Sequence, residues 1–174
     1  IMILVFGKTG QIGSELQKFS ETISLDRKQV DLTNLASCLN AIKYYRPNAV
    51  INAAAYTAVD MAEDEEELAN LVNAVAPGKI AQYCADINIP FVHISTDYVF
   101  DGSRDGFWKE TDPANPITAY GRSKLKGEER IKLSSCTYAI LRTSWVFSAY
   151  GKNFVKTMLQ QSKARNNLKV VDDQ

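Results

Sequence analysis

The chain has 174 residues, 45% of them hydrophobic and 23% charged, proportions that fit one globular domain with a substantial core. Its 20 Lys and Arg balance its 20 Asp and Glu, so no net field marks a nucleic-acid or membrane-surface binder, and any anion must be held by local groups. Cys38, Cys84 and Cys136 are scattered, with no Cys-x-x-Cys pair, and read as reduced thiols of a cytoplasmic protein; the single histidine, His93, excludes a histidine metal site, and no apolar run is long enough to span a bilayer.

Met2 to Phe6 is a short, wholly apolar run, as expected of a strand buried on both faces of a parallel sheet. It ends in Gly7-x-x-Gly10-x-x-Gly13, after which Ile12, Leu16 and Phe19 recur at helical spacing. Ile23-Ser24-Leu25 is a weak second strand, and Asp31 to Asn34 leads into a helix with Leu35, Leu39 and Ile42 on one side. Ala49 to Ala55 is the third strand. The acidic run Glu63 to Glu67 reads as the solvated start of a helix that continues to Ile87, with Pro77 marking a kink or a fresh start. Phe91 to Thr96 is the fourth strand, and the long aromatic loop from Asp97 to Pro116 has the length of a functional loop. A helix opening at Ala119-Tyr120, a fifth strand Tyr138 to Arg142, a helix Asn153 to Ala164 and a sixth strand Leu168 to Val171 complete the pattern. Strands alternating with helices at this spacing predict an α/β fold, a doubly wound parallel sheet of Rossmann type. Ligands of such sheets bind beyond the carboxyl ends of the strands, so the glycine turn, Asn52 to Ala55, Ser95 to Asp97 and Thr143 to Trp145 share one candidate rim.

Gly7, Gly10 and Gly13 stand in the strand–turn–helix context of a phosphate-binding turn, although three glycines can also serve turn geometry alone. Asp26 stands where a ribose-reading acid is expected, with Arg27 beside it; an acid favours a free ribose hydroxyl and an arginine can pair with a 2′-phosphate, and the sequence leaves both open. Asp31 is either an adenine contact or a helix cap. Thr96 is placed to bond a substrate carbonyl, or is simply a polar strand end. Tyr120 and Lys124, four residues apart, lie on one helix face. An ammonium beside a phenol lowers the phenol's pKa from about 10, which would make Tyr120 a general acid tuned by Lys124. The plain alternative is a half-buried tyrosine beside a surface lysine.

These residues together resemble the extended short-chain dehydrogenase/reductase superfamily. The segments Phe6 to Gln11, Asn52 to Asp60, Ser95 to Gly102, Arg142 to Val146 and Val170 to Gln174 are more specifically similar to the dTDP-4-dehydrorhamnose reductase family. The resemblance implies that NADPH or NADH delivers hydride to the C4 keto group of dTDP-4-dehydro-L-rhamnose, giving dTDP-L-rhamnose. It implies that Tyr120 protonates the alkoxide, Lys124 holds the nicotinamide ribose and depresses the tyrosine pKa, and Thr96 bonds the keto oxygen. Gly7, Gly10, Gln11, Ile12, Gly13, Asp26, Asp31, Leu32, Ala55, Tyr56, Thr57, Tyr120 and Lys124 would line the cofactor. Val59, Asp60, Thr96, Asp97, Tyr98 and Trp145 would face the nucleotide sugar, Trp145 being otherwise a core aromatic.

Within that family residues 2–174 correspond to the dinucleotide-binding domain, and a smaller carboxyl-terminal substrate domain lies beyond the sequence. The isolated segment is therefore expected to turn over weakly or not at all, because orienting the sugar needs that second wall. The partners implied are a nucleotide sugar and, in the full-length protein, a second copy in a homodimer. Family members can place a magnesium ion between subunits through a glutamate at the position of Glu15; a lone acid in a first helical turn has a simpler role, and no metal is expected. Two other functions fit the same residues: another nucleotide-sugar epimerase or dehydratase, and a non-catalytic binding subunit like the regulatory subunit of methionine adenosyltransferase.

Overall fold

A four-residue apolar strand is stable only when both of its faces are covered, and Leu4, Val5 and Phe6 are all fully buried. In the computed structural model, which describes residues 1–164, 167 and 170, this strand is an interior strand of a five-stranded sheet. The strands are β1 (Ile3–Phe6), β2 (Thr22–Leu25), β3 (Ala49–Asn52), β4 (Phe91–Thr96) and β5 (Tyr138–Thr143). They run parallel in the order β2-β1-β3-β4-β5. The expected sixth strand, Leu168 to Val171, and the segment Val170 to Gln174 fall largely outside the described residues.

The connections first lead outward from β1 to β2, then cross back to β3, so the chain reverses between β1 and β3. Right-handed crossovers then set α1 (Gln11–Leu16) on one face and α2 (Leu35–Tyr45), α4 (Ala76–Asp86) and α5 (Ala119–Lys132) on the other. The second face holds the main core, in which Leu4, Phe6, Val50 and Phe91 of the sheet meet Ile42, Ile80 and Ile131 of the helices. Alternation along the strands puts Asn52 with Val50, and His93 and Ser95 with Phe91, on that same face. The register lines up Phe6, Asn52, His93 and Ile140 across four strands, and Ser95 with Arg142.

The structure changes some local expectations and refines others. Helix α1 stops at Leu16, and Phe19 is exposed rather than part of its apolar stripe. Asn34, not Asp31, caps α2 by accepting from the Ser37 N–H; Asp31 instead turns its carboxylate back onto Thr33. The acidic run contributes only a 3₁₀ turn (Met61–Glu63) and the short α3 (Glu66–Asn70). A π-helical turn, Leu71–Val75, separates α3 from α4, and Pro77 lies in the first turn of α4, where its missing N–H costs nothing. Asn153 caps α6 (Phe154–Ser162), accepting from the Lys156 N–H.

Candidate active site

The carboxyl ends of β1, β3, β4 and β5 come together on one rim. At β1 the chain turns sharply through Gly7, whose φ of +100° and close approach to the Ala53–Ala54 backbone admit no side chain. A Cβ on Gly13 would lie 2.0 Å from the Gly7 carbonyl oxygen, so α1 can pack on the turn only with glycine there. No side chain among the described residues caps α1, whose first N–H groups, from Gln11 onward, have no intrahelical partner and lie at the rim; the Gly10 N–H donates to the Gly7 carbonyl. A dinucleotide pyrophosphate would supply the missing acceptor. Gly13→Ala is expected to destabilise the fold by about 3 kcal/mol in urea denaturation, whereas Gly102→Ala, in open space at φ +71°, costs about 1 kcal/mol.

The other expected cofactor residues surround this turn. The Gln11 side chain donates to the Val146 carbonyl at 3.3 Å and accepts from Asn153 at 2.9 Å, tying the turn to the loop after β5. Ile12 is half-buried beside it and Leu32 is buried in the main core. Asp26 caps its own turn by accepting from the Lys28 and Gln29 N–H groups at 2.9 and 3.0 Å. Arg27 pairs with Asp31 at 3.0 Å; the Thr33 N–H, foremost, and this pairing hold the Asp31 carboxyl below its ordinary pKa. Half-buried Ala55 and Tyr56 and exposed Thr57 follow the carboxyl end of β3. Asn73 of the π-helical turn pins the Tyr56 backbone by bonding both its N–H and its C=O. The Tyr56 hydroxyl donates to Glu65 at 2.6 Å, which raises the phenol pKa. Glu65 and Glu63 therefore have structural work that an acidic run does not announce: Glu63 accepts from the Ala119 N–H at 2.7 Å, at the start of α5.

Helix α5 carries the expected catalytic pair. Thr118 caps it, and Gly121 lets it approach the 3₁₀ turn Asp97–Val99 so closely that a Cβ would lie 2.2 Å from the Tyr98 carbonyl oxygen. Tyr120 is packed among Ala62, Ala69 and Ala119, with Tyr56 and Val59 alongside. Tyr98 meets its ring edge-to-face at 5.6 Å. Asp60 lies exposed just beyond Val59. Thr96 accepts from the Tyr98 N–H and donates to Asp97 at 3.1 Å, and Asp97 also accepts from Ser144 at 2.6 Å, joining the ends of β4 and β5. Trp145 is not a core aromatic: it is exposed, stands edge-on to Phe154 at 5.0 Å and holds φ at +51°, a conformation costly for a bulky residue.

Lys124 is not among the groups that act on the Tyr120 phenol in this structure. Burial raises the Tyr120 pKa, the Thr96 hydroxyl opposes this, and the nearby Asp97 adds to the rise. Lys124 is turned to the sheet instead, donating to the Ile94 carbonyl at 2.6 Å with its Nζ 3.1 Å from His93 Nε2. Burial, partly offset by Glu128, pulls its pKa down to about 7.

Two buried polar groups escaped sequence reasoning. One is Asn52–His93–Lys124. The other is Glu128, which accepts from Ser95 at 2.6 Å and bidentately from Arg142 at 2.9 and 2.7 Å, bonds that hold its carboxyl below the ordinary range against its burial. The period-two series Phe91, His93, Ser95 beneath Lys124 and Glu128, one turn apart on α5, was the available signal. Glu15, placed in sequence at a first turn, is near the end of the short α1 and pairs with Lys18. Among the described residues, no three His, Cys, Asp or Glu side chains are grouped to hold a metal, and no helix is long and apolar enough to cross a membrane.

Residues 1–174 match the family model described as RmlD substrate binding domain. The chain is 44% identical to dTDP-4-dehydrorhamnose reductase of Salmonella typhimurium, over 99% of its own length and 60% of that protein's. Among solved structures, it is similar to a dTDP-4-dehydrorhamnose reductase of Clostridium acetobutylicum, with a TM-score of 0.93, 41% identity and coverage of 98% of this chain and 62% of that one. It is also similar to the Bacillus anthracis enzyme solved in complex with NADP, with a TM-score of 0.89, 38% identity and coverage of 94% and 60%. The chain thus spans about 60% of the length of the curated relatives it matches.

Proposed function

Because the chain belongs to the RmlD substrate-binding-domain family, we propose that it forms the dinucleotide-binding part of an NADPH-dependent reductase acting on the C4 keto group of dTDP-4-dehydro-L-rhamnose. The observation that carries the reading is the convergence of the glycine turn at β1, Thr96 at β4 and Tyr120 on α5 on a single rim. The dinucleotide supplies the hydride. The protein's own residues bind it at Gly7–Gly13, set Thr96 and Tyr120 at one end of the rim and hold the proton on the Tyr120 oxygen. A general acid must be protonated before it acts, and a phenol whose pKa is raised by burial meets that condition throughout the neutral range. Thr96 turns its O–H from Asp97 to the keto oxygen, while Tyr98 and Trp145 offer aromatic faces to the nucleotide sugar.

The cofactor reading favours the 2′-phosphate. The Asp26 carboxylate is occupied by its own turn, whereas Arg27 is held only by an exposed pair with Asp31, which a phosphate displaces at little cost. Titration of the chain is expected to show tighter binding of NADPH than NADH. Arg27→Ala should weaken NADPH about tenfold, the worth of one charge-assisted hydrogen bond, and leave NADH nearly unchanged. Equal loss for both dinucleotides would show that Arg27 does not read the phosphate. The reaction itself is tested on the complete polypeptide: keto-sugar reduction should consume added NADPH in equal amount, whereas product formed without net consumption would point to an epimerase or dehydratase, and no product to a binding subunit.

A further inference from the structure

The loop from Asp97 to Pro116 joins the two groups that proton delivery needs, since Thr96 ends the strand before it and Tyr120 lies in the first turn of the helix after it. Among the described residues its regular structure is the single 3₁₀ turn Asp97–Val99, so side chains must hold its two limbs together. Arg142 meets both limbs. Its guanidinium lies over the Phe100 ring at 5.0 Å, and Nη1 donates to the Glu110 carbonyl at 3.3 Å. Phe100 in turn stacks on Trp108, with ring centres 4.5 Å apart and 14° between planes, and the Arg104 guanidinium lies 5.9 Å from the Trp108 ring centre. The Nε and Nη2 groups of Arg142 are taken by Glu128, which is 1% exposed and also accepts from Ser95, the neighbour of Thr96. One side chain thus links β5, α5, the end of β4 and both limbs of the loop. Charge balance alone does not call for an arginine: a lysine would supply it, as Lys132 does from 3.7 Å. The arginine adds a planar fork for the carboxylate, a free donor for the Glu110 carbonyl and a flat face for the ring.

We propose that Arg142, braced by Glu128, is a positioning residue: it clamps the two limbs of the Asp97–Pro116 loop and thereby sets the spacing of Thr96 from Tyr120 at the keto oxygen. The limbs are joined again beside the site, where the Asn115 N–H donates to the Val99 carbonyl at 2.9 Å and the Asn115 side chain donates to Asp101 at 3.0 Å. Gly121 of α5 is pressed against the Tyr98 carbonyl, so a shift of the loop passes directly to the helical turn that carries Tyr120. The glycine turn belongs to β1, with β3 between it and β4, so the clamp leaves dinucleotide binding alone. Its bearing on turnover rests on the reductase reading above; the clamp itself does not, and it can be measured without substrate.

The test is Arg142→Lys, which keeps a charge for Glu128 but loses the fork and the flat face. In the 174-residue chain, hydrogen exchange at the Asn115 N–H is expected to quicken about tenfold, the worth of the lost hydrogen bond and ring contact. In the complete polypeptide, kcat for keto-sugar reduction should fall about thirtyfold while NADPH affinity stays within about twofold. Combined with Tyr120→Phe, the same substitution should cost no more than about threefold further, because no proton donor is left to misplace. Phe100→Leu leaves the Glu128–Arg142 pair intact and should give the same pattern; it carries the test if Arg142→Lys does not fold. Unchanged exchange at Asn115, or an equal loss of rate with and without Tyr120→Phe, overturns the proposal and leaves the ion pair a structural role only. A wild-type rate in Tyr120→Phe by itself would count against the proposed function instead, and the exchange result would still decide the clamp.

Discussion

Tyr120→Phe in the complete polypeptide is expected to lower keto-sugar reduction by about three orders of magnitude, the usual worth of a positioned general acid, while NADPH affinity stays within about twofold. The substitution removes one oxygen and little else. The ring keeps its edge-to-face contact with Tyr98 and its bed of Ala62, Ala69 and Ala119. Because burial holds the phenol protonated, the wild-type rate should not decline through loss of this acid until the pH exceeds the ordinary tyrosine value of about 10. Steady-state rates and a fluorescence titration of the same preparation check both halves. Parallel losses of rate and affinity would make Tyr120 a cofactor contact rather than the acid.

Lys124→Met is expected to change how stability depends on pH. In the folded chain Lys124 gives up its proton at about 7, against 10.5 when unperturbed, so between these values the unfolded state binds more protons than the native one. Stability from this group therefore rises as pH rises through that window. From about pH 7 to about pH 9 the wild type should gain about 2 kcal/mol relative to Lys124→Met, read as the difference between their urea-unfolding free energies. The difference matters because the buried thiols act oppositely. Cys38 and Cys84 are pushed up to about 11 and about 12, and they lose stability once unfolded thiols ionise. Those terms are common to both proteins and cancel. Parallel pH curves for the two proteins would show that Lys124 is charged in the native chain.

The strands and their order of appearance were legible because each carries apolar residues between turn signals, β1 as a wholly apolar run and β2 only weakly, and the rim followed from the rule for parallel sheets. The glycines were legible as a turn; that Gly13 is required by contact with the Gly7 carbonyl was not, since close approach is a property of packing. Asp31 and Asn34 are both good capping types, and only the backbone decides between them. The acidic run was legible as the exposed start of α3, but its contacts were not, because a carboxylate's partner is tertiary: Glu63 meets the start of α5 and Glu65 meets Tyr56. The same holds for Lys124. Helical spacing correctly placed it one turn from Tyr120, yet its rotamer is set by His93 and Ile94 on β4, a contact that spacing along one helix cannot contain.

The central claim is hydride delivery from the dinucleotide to the sugar C4, with the proton coming from Tyr120. Its most direct measurement is transfer of deuterium from NADPH labelled at the nicotinamide C4, followed by mass and magnetic-resonance analysis of the sugar. The account predicts deuterium retained at sugar C4 only, together with oxidation of an equal amount of cofactor. Deuterium at another carbon, or an unlabelled product with the cofactor unchanged, would contradict it.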